Sequence, residues 1–200
     1  GEGPYTYSVS AGALPAGLTL NSATGALTGT PASGGVYAFT VTATDVRSGT
    51  ASLSLSGEVV TTHSYWRINI TAANSWAALS ELEFAAMAGG PNWGVGGSPV
   101  TGGNYPPPGF DEANAFDGNT SSHQDYTWAS SVSSSGWIGY HFASPVSVKE
   151  VRISARSQYS QYPTAFSVDY SDDGVTWTQV VSYSGQTSWP YETLKAFAVP

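Results

Sequence analysis

Apolar and polar side chains alternate with a period of two along much of this chain, and that pattern restricts the fold most. Phe39, Val41 and Ala43 alternate with threonines, as a strand buried on one face requires. Leu53 and Leu55 repeat the pattern between serines, and turn-forming residues stand at 14–17, 24–25 and 33–35. No stretch of helical period competes. The sequence therefore predicts an all-β protein built as β-sandwiches.

Composition excludes several classes of function. The 200 residues contain no Cys, which excludes disulfides, thiolate catalysis and Cys-ligated zinc or iron–sulfur sites. The net charge is −8 with only six Lys and Arg, which argues against nucleic acid as a partner. No apolar run approaches the length of a membrane span, so no membrane insertion is expected.

The two parts of the chain differ in composition. All seven tryptophans lie at or beyond Trp66. We therefore predict a domain at 1–60 and a second at 61–200, joined by a polar linker near 61–64. In the second domain we predict strands with Ile68, Ile138 and Leu82 facing inward and Glu81 facing outward. Trp66, Trp137 and Trp177 are expected in the core, and the Gly- and Pro-rich segment 88–111 is expected to lack regular structure.

The first domain contains two motifs of a known repeat. The sequence LPAGLTL at 14–20 and TGALTGTP at 24–31 resemble the immunoglobulin-like (cadherin/dystroglycan-like) repeats of bacterial surface and phage tail proteins. The resemblance implies an Ig-like β-sandwich over 1–57 that begins about one strand late. We expect the chain to be a fragment of a longer protein, or a partner to supply the first strand.

The second domain resembles discoidin-type (F5/8 type C, galactose-binding-like) modules, including carbohydrate-binding ones. The matching motifs stand at 66–68, 79–84, 115–119, 137–142 and 171–177. The resemblance covers 63–200 and implies a jelly-roll β-sandwich. The module also resembles those of phage tail and virion proteins.

An oxygen-rich turn at 117–122 is a candidate calcium site, because hard cations prefer oxygen ligands. The resemblance implies that Asp117, Asn119 and Glu192 hold a structural Ca²⁺, with a hydroxyl ligand at Ser122 or at Thr127. The alternative is an Asx turn in which Asp117 bonds its own backbone.

Aromatic side chains in predicted loops are candidate ligand contacts. An aromatic ring with fixed donors beside it suits the apolar face and hydroxyl rim of a sugar. Arg156 supplies such donors, and the resemblance places it where related modules contact sugar. Alternatively, these rings fill crevices under the loops or contact other subunits. The predicted ligand-binding set is Trp93, His123, Tyr126, Arg156, Tyr159, Tyr162 and Trp189; Tyr105 and Tyr191 are further loop aromatics.

No catalytic motif occurs in the sequence, and no pair of carboxylates is placed for glycoside hydrolysis. We therefore expect a non-enzymatic, extracellular or virion-borne protein that binds cell-surface glycans, with an Ig-like spacer and a calcium-stabilised module. One alternative is a structural part of a tail, fibre or capsid that contacts other subunits. Another is an accessory module of a secreted polysaccharide-degrading enzyme.

Overall fold

The computed structural model describes residues 1–94 and 96–200. It divides into two compact units, Gly1–Thr61 and Thr62–Pro200, each made of antiparallel sheets. The expected all-β architecture is confirmed. Within the described residues, no helix is long and apolar enough to cross a membrane.

Unit 1 contains a three-stranded sheet and a short hairpin. The sheet has the order β1 (Thr6–Gly12), β4 (Gly35–Thr44), β5 (Thr50–Val59). The hairpin consists of β2 (Leu18–Leu20) and β3 (Leu27–Gly29). These strands form where the sequence alternates, and the turn residues separate them.

The two faces of the unit 1 sheet differ in chemistry. On one face, hydroxyls bond across the three strands: the Oγ of Ser10 lies 2.7 Å from Oγ1 of Thr42, which lies 2.8 Å from Oγ of Ser52. The other face lines an open groove of about 350 Å³ that includes Leu53, whose exposed fraction is 61%. Among the described residues of this unit, only Phe39 is a buried hydrophobic. The apolar face is therefore largely uncovered.

Unit 2 is a sandwich of two sheets. The five-stranded sheet has the order β13 (Thr178–Tyr183), β12 (Tyr162–Ser171), β6 (His63–Asn74), β10 (Gly136–Val146), β8 (Ser98–Thr101). The four-stranded sheet has the order β14 (Lys195–Ala198), β11 (Glu150–Ala155), β7 (Ala78–Ala85), β9 (Trp128–Ala129). Short 3₁₀ helices occupy Glu112–Phe116, Gln124–Tyr126 and Ser157–Tyr159.

The core of unit 2 lies between these sheets. Its larger members are Trp66, Ile68, Ile70, Leu79, Leu82, Phe84, Trp128, Ile138, Tyr140, Phe142, Ile153, Phe166, Val168 and Phe197. The inward positions predicted from alternation in β6 and β10 are confirmed.

Three local predictions in unit 2 were wrong. The segment 88–111 contains β8, which pairs with β10 despite its Gly- and Pro-rich surroundings. Glu81 is buried rather than outward-facing, because β7 is covered on both faces. Trp137 and Trp177 lie outside the core.

Those two tryptophans enclose an arginine on the outer face of the five-stranded sheet. The guanidinium carbon of Arg67 lies 5.2 Å from the ring centre of Trp137 and 4.1 Å from that of Trp177. Its Nε donates to Oδ2 of Asp169 at 2.9 Å, and both side chains of this ion pair are mostly buried. The tryptophans therefore shield a charged pair.

Candidate functional site

The oxygen-rich loop follows the 3₁₀ helix Glu112–Phe116, whose first turn is capped by the carboxylate of Asp111. The carboxylate of Asp117 accepts the backbone N–H of Asn119 at 2.8 Å, and the side chain of Asn119 accepts that of Ser121 at 2.9 Å. Gly118 takes a φ of 79°, a conformation that glycine adopts without strain. Two consecutive Asx turns thus form the loop.

A carboxylate from far along the chain meets this loop. Oε1 of Glu192 accepts the backbone N–H of Ser122 at 2.9 Å. That hydrogen bond lowers the pKa of Glu192, because it favours the ionised carboxylate. The structure thus brings Glu192 and Ser122 together, beside Asp117 and Asn119 of the same loop.

Of the two candidate hydroxyls, Ser122 is the one without a hydrogen-bond partner. Its side chain is fully buried, and its Oγ meets no donor or acceptor among the described residues. Thr127, in contrast, donates its hydroxyl to the carbonyl of His123 at 2.8 Å. A buried polar atom without a partner has lost the hydrogen bond that it made with water. The Oγ of Ser122 is therefore a better candidate for a cation ligand than the hydroxyl of Thr127, which already has a hydrogen-bond partner.

Glu81, which was not among the predicted site residues, also contacts the loop. Its Oε2 accepts the backbone N–H of Gly118 at 3.0 Å, while its Oε1 has no partner among the described residues. Burial raises the pKa of Glu81 to about 8, and the nearby charge of Asp117 adds to the rise. No local sequence signal pointed to it, because Glu81 and Glu83 alternate with Leu82 and Phe84 as in a strand with one exposed face.

The described part of the chain contains no group of three or more His, Cys, Asp or Glu side chains that could hold a metal ion. A cation at the loop would therefore rely on the carboxylates of Asp117 and Glu192 together with amide, hydroxyl and main-chain oxygens. That donor chemistry suits Ca²⁺, which accepts mixed oxygen ligands, and does not suit transition metals.

A small aromatic cleft lies in the loops of unit 2. It has a volume of about 250 Å³ and is lined by Trp76, Tyr105, Phe110, Ala129 and Gln161. The ring of Tyr105 stands nearly perpendicular to its neighbours, at 5.2 Å from Trp76 and 5.5 Å from Phe110. Trp76 is fixed by a hydrogen bond of 2.9 Å from its Nε1 to the carbonyl of Ser130.

Arg156 lies between this cleft and the oxygen-rich loop. Its Nε donates to the carbonyl of Ser122 and its Nη1 donates to Oε1 of Gln161, both at 2.8 Å. Its guanidinium carbon lies 4.0 Å from the ring centre of Tyr159 and 5.1 Å from that of Phe110. Burial lowers the pKa of this guanidinium, although the group remains charged at any pH of interest.

The other predicted ligand residues occupy separate places. The ring centres of His123 and Tyr126 lie 6.2 Å apart. His123 caps the 3₁₀ helix Gln124–Tyr126, which follows the oxygen-rich loop. Trp189 packs against Tyr162 and the core residue Phe197, and its Nε1 donates to the carbonyl of Pro163.

Trp93 is 40% exposed, and its backbone N–H bonds to the carbonyl of Phe84 in β7. Of the predicted set, the structure therefore brings only Arg156 and Tyr159 into one cluster beside the cleft. Trp76 and Phe110 were missed, because they lie in different loops and no local pattern joins them.

Comparison with known proteins identifies both halves of the chain. The model described as "Putative Ig domain" matches residues 1–75, and the model described as "F5/8 type C domain" matches residues 98–199. No curated protein and no solved structure matches the chain. The expected order of the two domains is confirmed.

Proposed function

Because the chain belongs to the F5/8 type C domain family and carries an Ig domain before it, we propose that unit 2 binds neutral glycans in its aromatic cleft. Discoidin domains commonly bind carbohydrates or other surface molecules. The observation that carries the proposal is the cleft itself, in which three aromatic rings meet the side-chain amide of Gln161.

The cleft matches the chemistry of a sugar ring. The C–H face of a pyranose packs on aromatic rings, while an amide oriented at the edge can pair with hydroxyls. A volume of about 250 Å³ is small for a ligand site, which favours one or two sugar units over a long chain.

The charges around the cleft favour neutral ligands. Asp111 and Glu112 follow Phe110 directly, and the side chain of Glu112 accepts a hydrogen bond from Asn104, next to Tyr105. Arg156, the guanidinium beside the cleft, already donates two hydrogen bonds within the protein. Among the described residues that line the cleft, none carries a positive charge, so an anionic sugar would have no cation in the lining to pair with.

Calcium bound at the loop 117–122 is part of the same proposal. Asp117, Asn119, Ser122 and Glu192 would hold it, and the orphaned Oγ of Ser122 supports this assignment. The cation would neutralise the two carboxylates and fix the loop. Asp117 and Asn119 already make the Asx turns that would shape the loop around it.

The protein would act without catalysis, as an adhesion component outside the cell or on a phage virion. Ig-like and discoidin domains are typically non-catalytic binding modules and are typical of extracellular proteins. Unit 1 would serve as the spacer, and further subunits of a virion or surface assembly would hold the chain in place.

A glycan array tests the main proposal. Wild-type protein in calcium should bind neutral glycans, and Tyr105→Ala should weaken binding at least about tenfold, since Tyr105 contacts both neighbouring rings of the cleft. Tyr105 is 41% exposed, so its truncation opens no core cavity. Tyr5→Ala, which removes a similarly exposed ring from unit 1, is the matched control. A folded wild-type protein that binds no glycan would contradict the proposal.

Assembly with further subunits is the second candidate function, and the open groove of unit 1 favours it. Tyr7, Leu27, Val41, Leu53 and Leu55 line a groove that a sandwich would normally cover with a second sheet. The edge of β5 also carries no proline or lysine to block strand pairing. Sedimentation velocity should show concentration-dependent association that Leu53→Ser removes. A monomer at every concentration would exclude self-assembly through this face.

A further inference from the structure

Arg156 connects two sites that the fold places on different segments. It directly follows β11, and its guanidinium reaches the carbonyl of Ser122 on one side and the side chain of Gln161 on the other. The first acceptor belongs to the proposed calcium loop, and the second lines the aromatic cleft. A single rigid group thus touches both.

The guanidinium is held in place from four directions. It donates two hydrogen bonds of 2.8 Å. Its carbon also lies 4.0 Å from the ring centre of Tyr159 and 5.1 Å from that of Phe110. The planar fork of arginine makes such contacts directional, so a shift of either acceptor moves the whole group. Phe110 is itself tied to the segment after the loop, because its backbone N–H bonds to the carbonyl of Gln124.

We propose that Arg156 is a positioning residue that couples cation binding at the loop 117–122 to glycan binding in the cleft. A cation that fixes Ser122 also fixes its carbonyl, and through Arg156 it orders Gln161 and Phe110. The sugar then binds to a preorganised cleft without touching the cation. This inference rests on the proposed function, and the coupling is reciprocal: sugar binding must tighten cation binding by the same factor.

The coupling can be tested first without any sugar, by hydrogen–deuterium exchange with calcium as the only probe. In wild-type protein, calcium should slow exchange in the loop 117–122 and also at 105–111 and 157–161. In Arg156→Met the protection should stay confined to the loop. Arg156→Lys, which keeps the charge but loses the fork, should behave like Arg156→Met.

Two controls accompany this test. Arg47→Met removes an arginine whose exposed partner is Glu2 in unit 1, and it should behave like wild type. The melting temperature of Arg156→Met should still rise with calcium, which shows that the variant folds and retains the cation. Equal protection of the cleft segments in wild type and Arg156→Met would overturn the coupling. Wild-type protein that does not bind calcium would also overturn it.

The second test measures the affinity for a neutral monosaccharide identified on the array, with calcium and with chelator. In wild-type protein, chelation should weaken binding about five- to tenfold. In Arg156→Met, binding should be weak and equal in both conditions. If Arg156 acted only by touching the sugar, the calcium factor would persist in the variant, and the coupling would be refuted. If wild-type protein bound no sugar even in calcium, the proposed function would fail, while the exchange experiment would still decide whether Arg156 transmits cation binding to the cleft segments.

Discussion

Replacing Glu81 by glutamine should make the stability of unit 2 less dependent on pH. The Glu81 side chain is 1% exposed, and burial raises its pKa from 4.5 to about 8. Between these two values the folded protein keeps a proton that the unfolded chain releases. Each pH unit in that window therefore lowers the free energy of unfolding by about 1.4 kcal/mol.

The magnitude follows from the width of the window. Between about pH 5.5 and about pH 7.5, the free energy of unfolding of the wild type should fall by about 2.7 kcal/mol relative to that of Glu81→Gln. This difference corresponds to roughly 8 °C in melting temperature. The sign is that of a raised carboxyl pKa: the stabilisation is complete below 4.5 and disappears as the pH rises through about 8. Glutamine fits the site because its carbonyl can still accept the N–H of Gly118.

Thermal unfolding in chelator, followed by tryptophan fluorescence, is the appropriate assay. All seven tryptophans lie in unit 2, so the signal reports that unit alone. Glu2→Gln, an exposed site in unit 1, controls for the change in net charge. If the melting temperatures of wild type and Glu81→Gln changed with pH in parallel, Glu81 would not keep its proton in the folded protein, and the prediction would be refuted.

Three further predictions concern the loop, the ion pair and a turn. Calcium should raise the melting temperature of chelator-treated protein, and Asp117→Ala should abolish the rise; calorimetry that detects no shift in wild type would refute the calcium assignment. Arg67→Met should destabilise unit 2 by about 3–5 kcal/mol in urea titrations, because it leaves the buried carboxylate of Asp169 without its cation, and adding Asp169→Asn should recover part of the loss. The backbone N–H groups of Thr176 and Val175 hold the pKa of Asp173 well below its usual range. Asp173→Ala should therefore destabilise the turn at neutral pH, and its difference from wild type should shrink in acid; a difference that persists in acid would contradict this role.

Alternation identified the strands where one face is buried and the other is exposed. It placed Ile68 correctly, because the polar residues Arg67 and Asn69 stand on either side of it. It failed for Glu81, since the pattern carries no information about a second layer on the far face. It also missed β8, whose pairing with β10 is decided by the tertiary structure rather than by local propensity.

The site was only partly accessible to sequence reasoning. Asp117, Asn119 and Ser122 are close in sequence, and the family resemblance added Glu192 from 70 residues beyond Ser122. The cleft could not be predicted in the same way, because Trp76, Tyr105 and Phe110 come together only when their loops fold. Trp189 lies in a loop as expected, and its packing against the core residue Phe197 is a tertiary contact that no local pattern predicts.

The hydroxyl groups that bond to one another across the unit 1 sheet bear on its proposed role as a spacer. Ser10, Thr42 and Ser52 satisfy one another across the sheet, and Thr40 pairs with Ser54 in the same way at 3.0 Å. These hydroxyl side chains are hydrophilic without carrying charge, so they recruit no counterions of their own, and the charge on this side of β5 is that of Glu58 at its far end. The hydrogen bonds among these hydroxyls should therefore depend little on ionic strength. As the proposed spacer, unit 1 would therefore present this patch of hydroxyls to an anionic cell envelope with little change between low and high ionic strength.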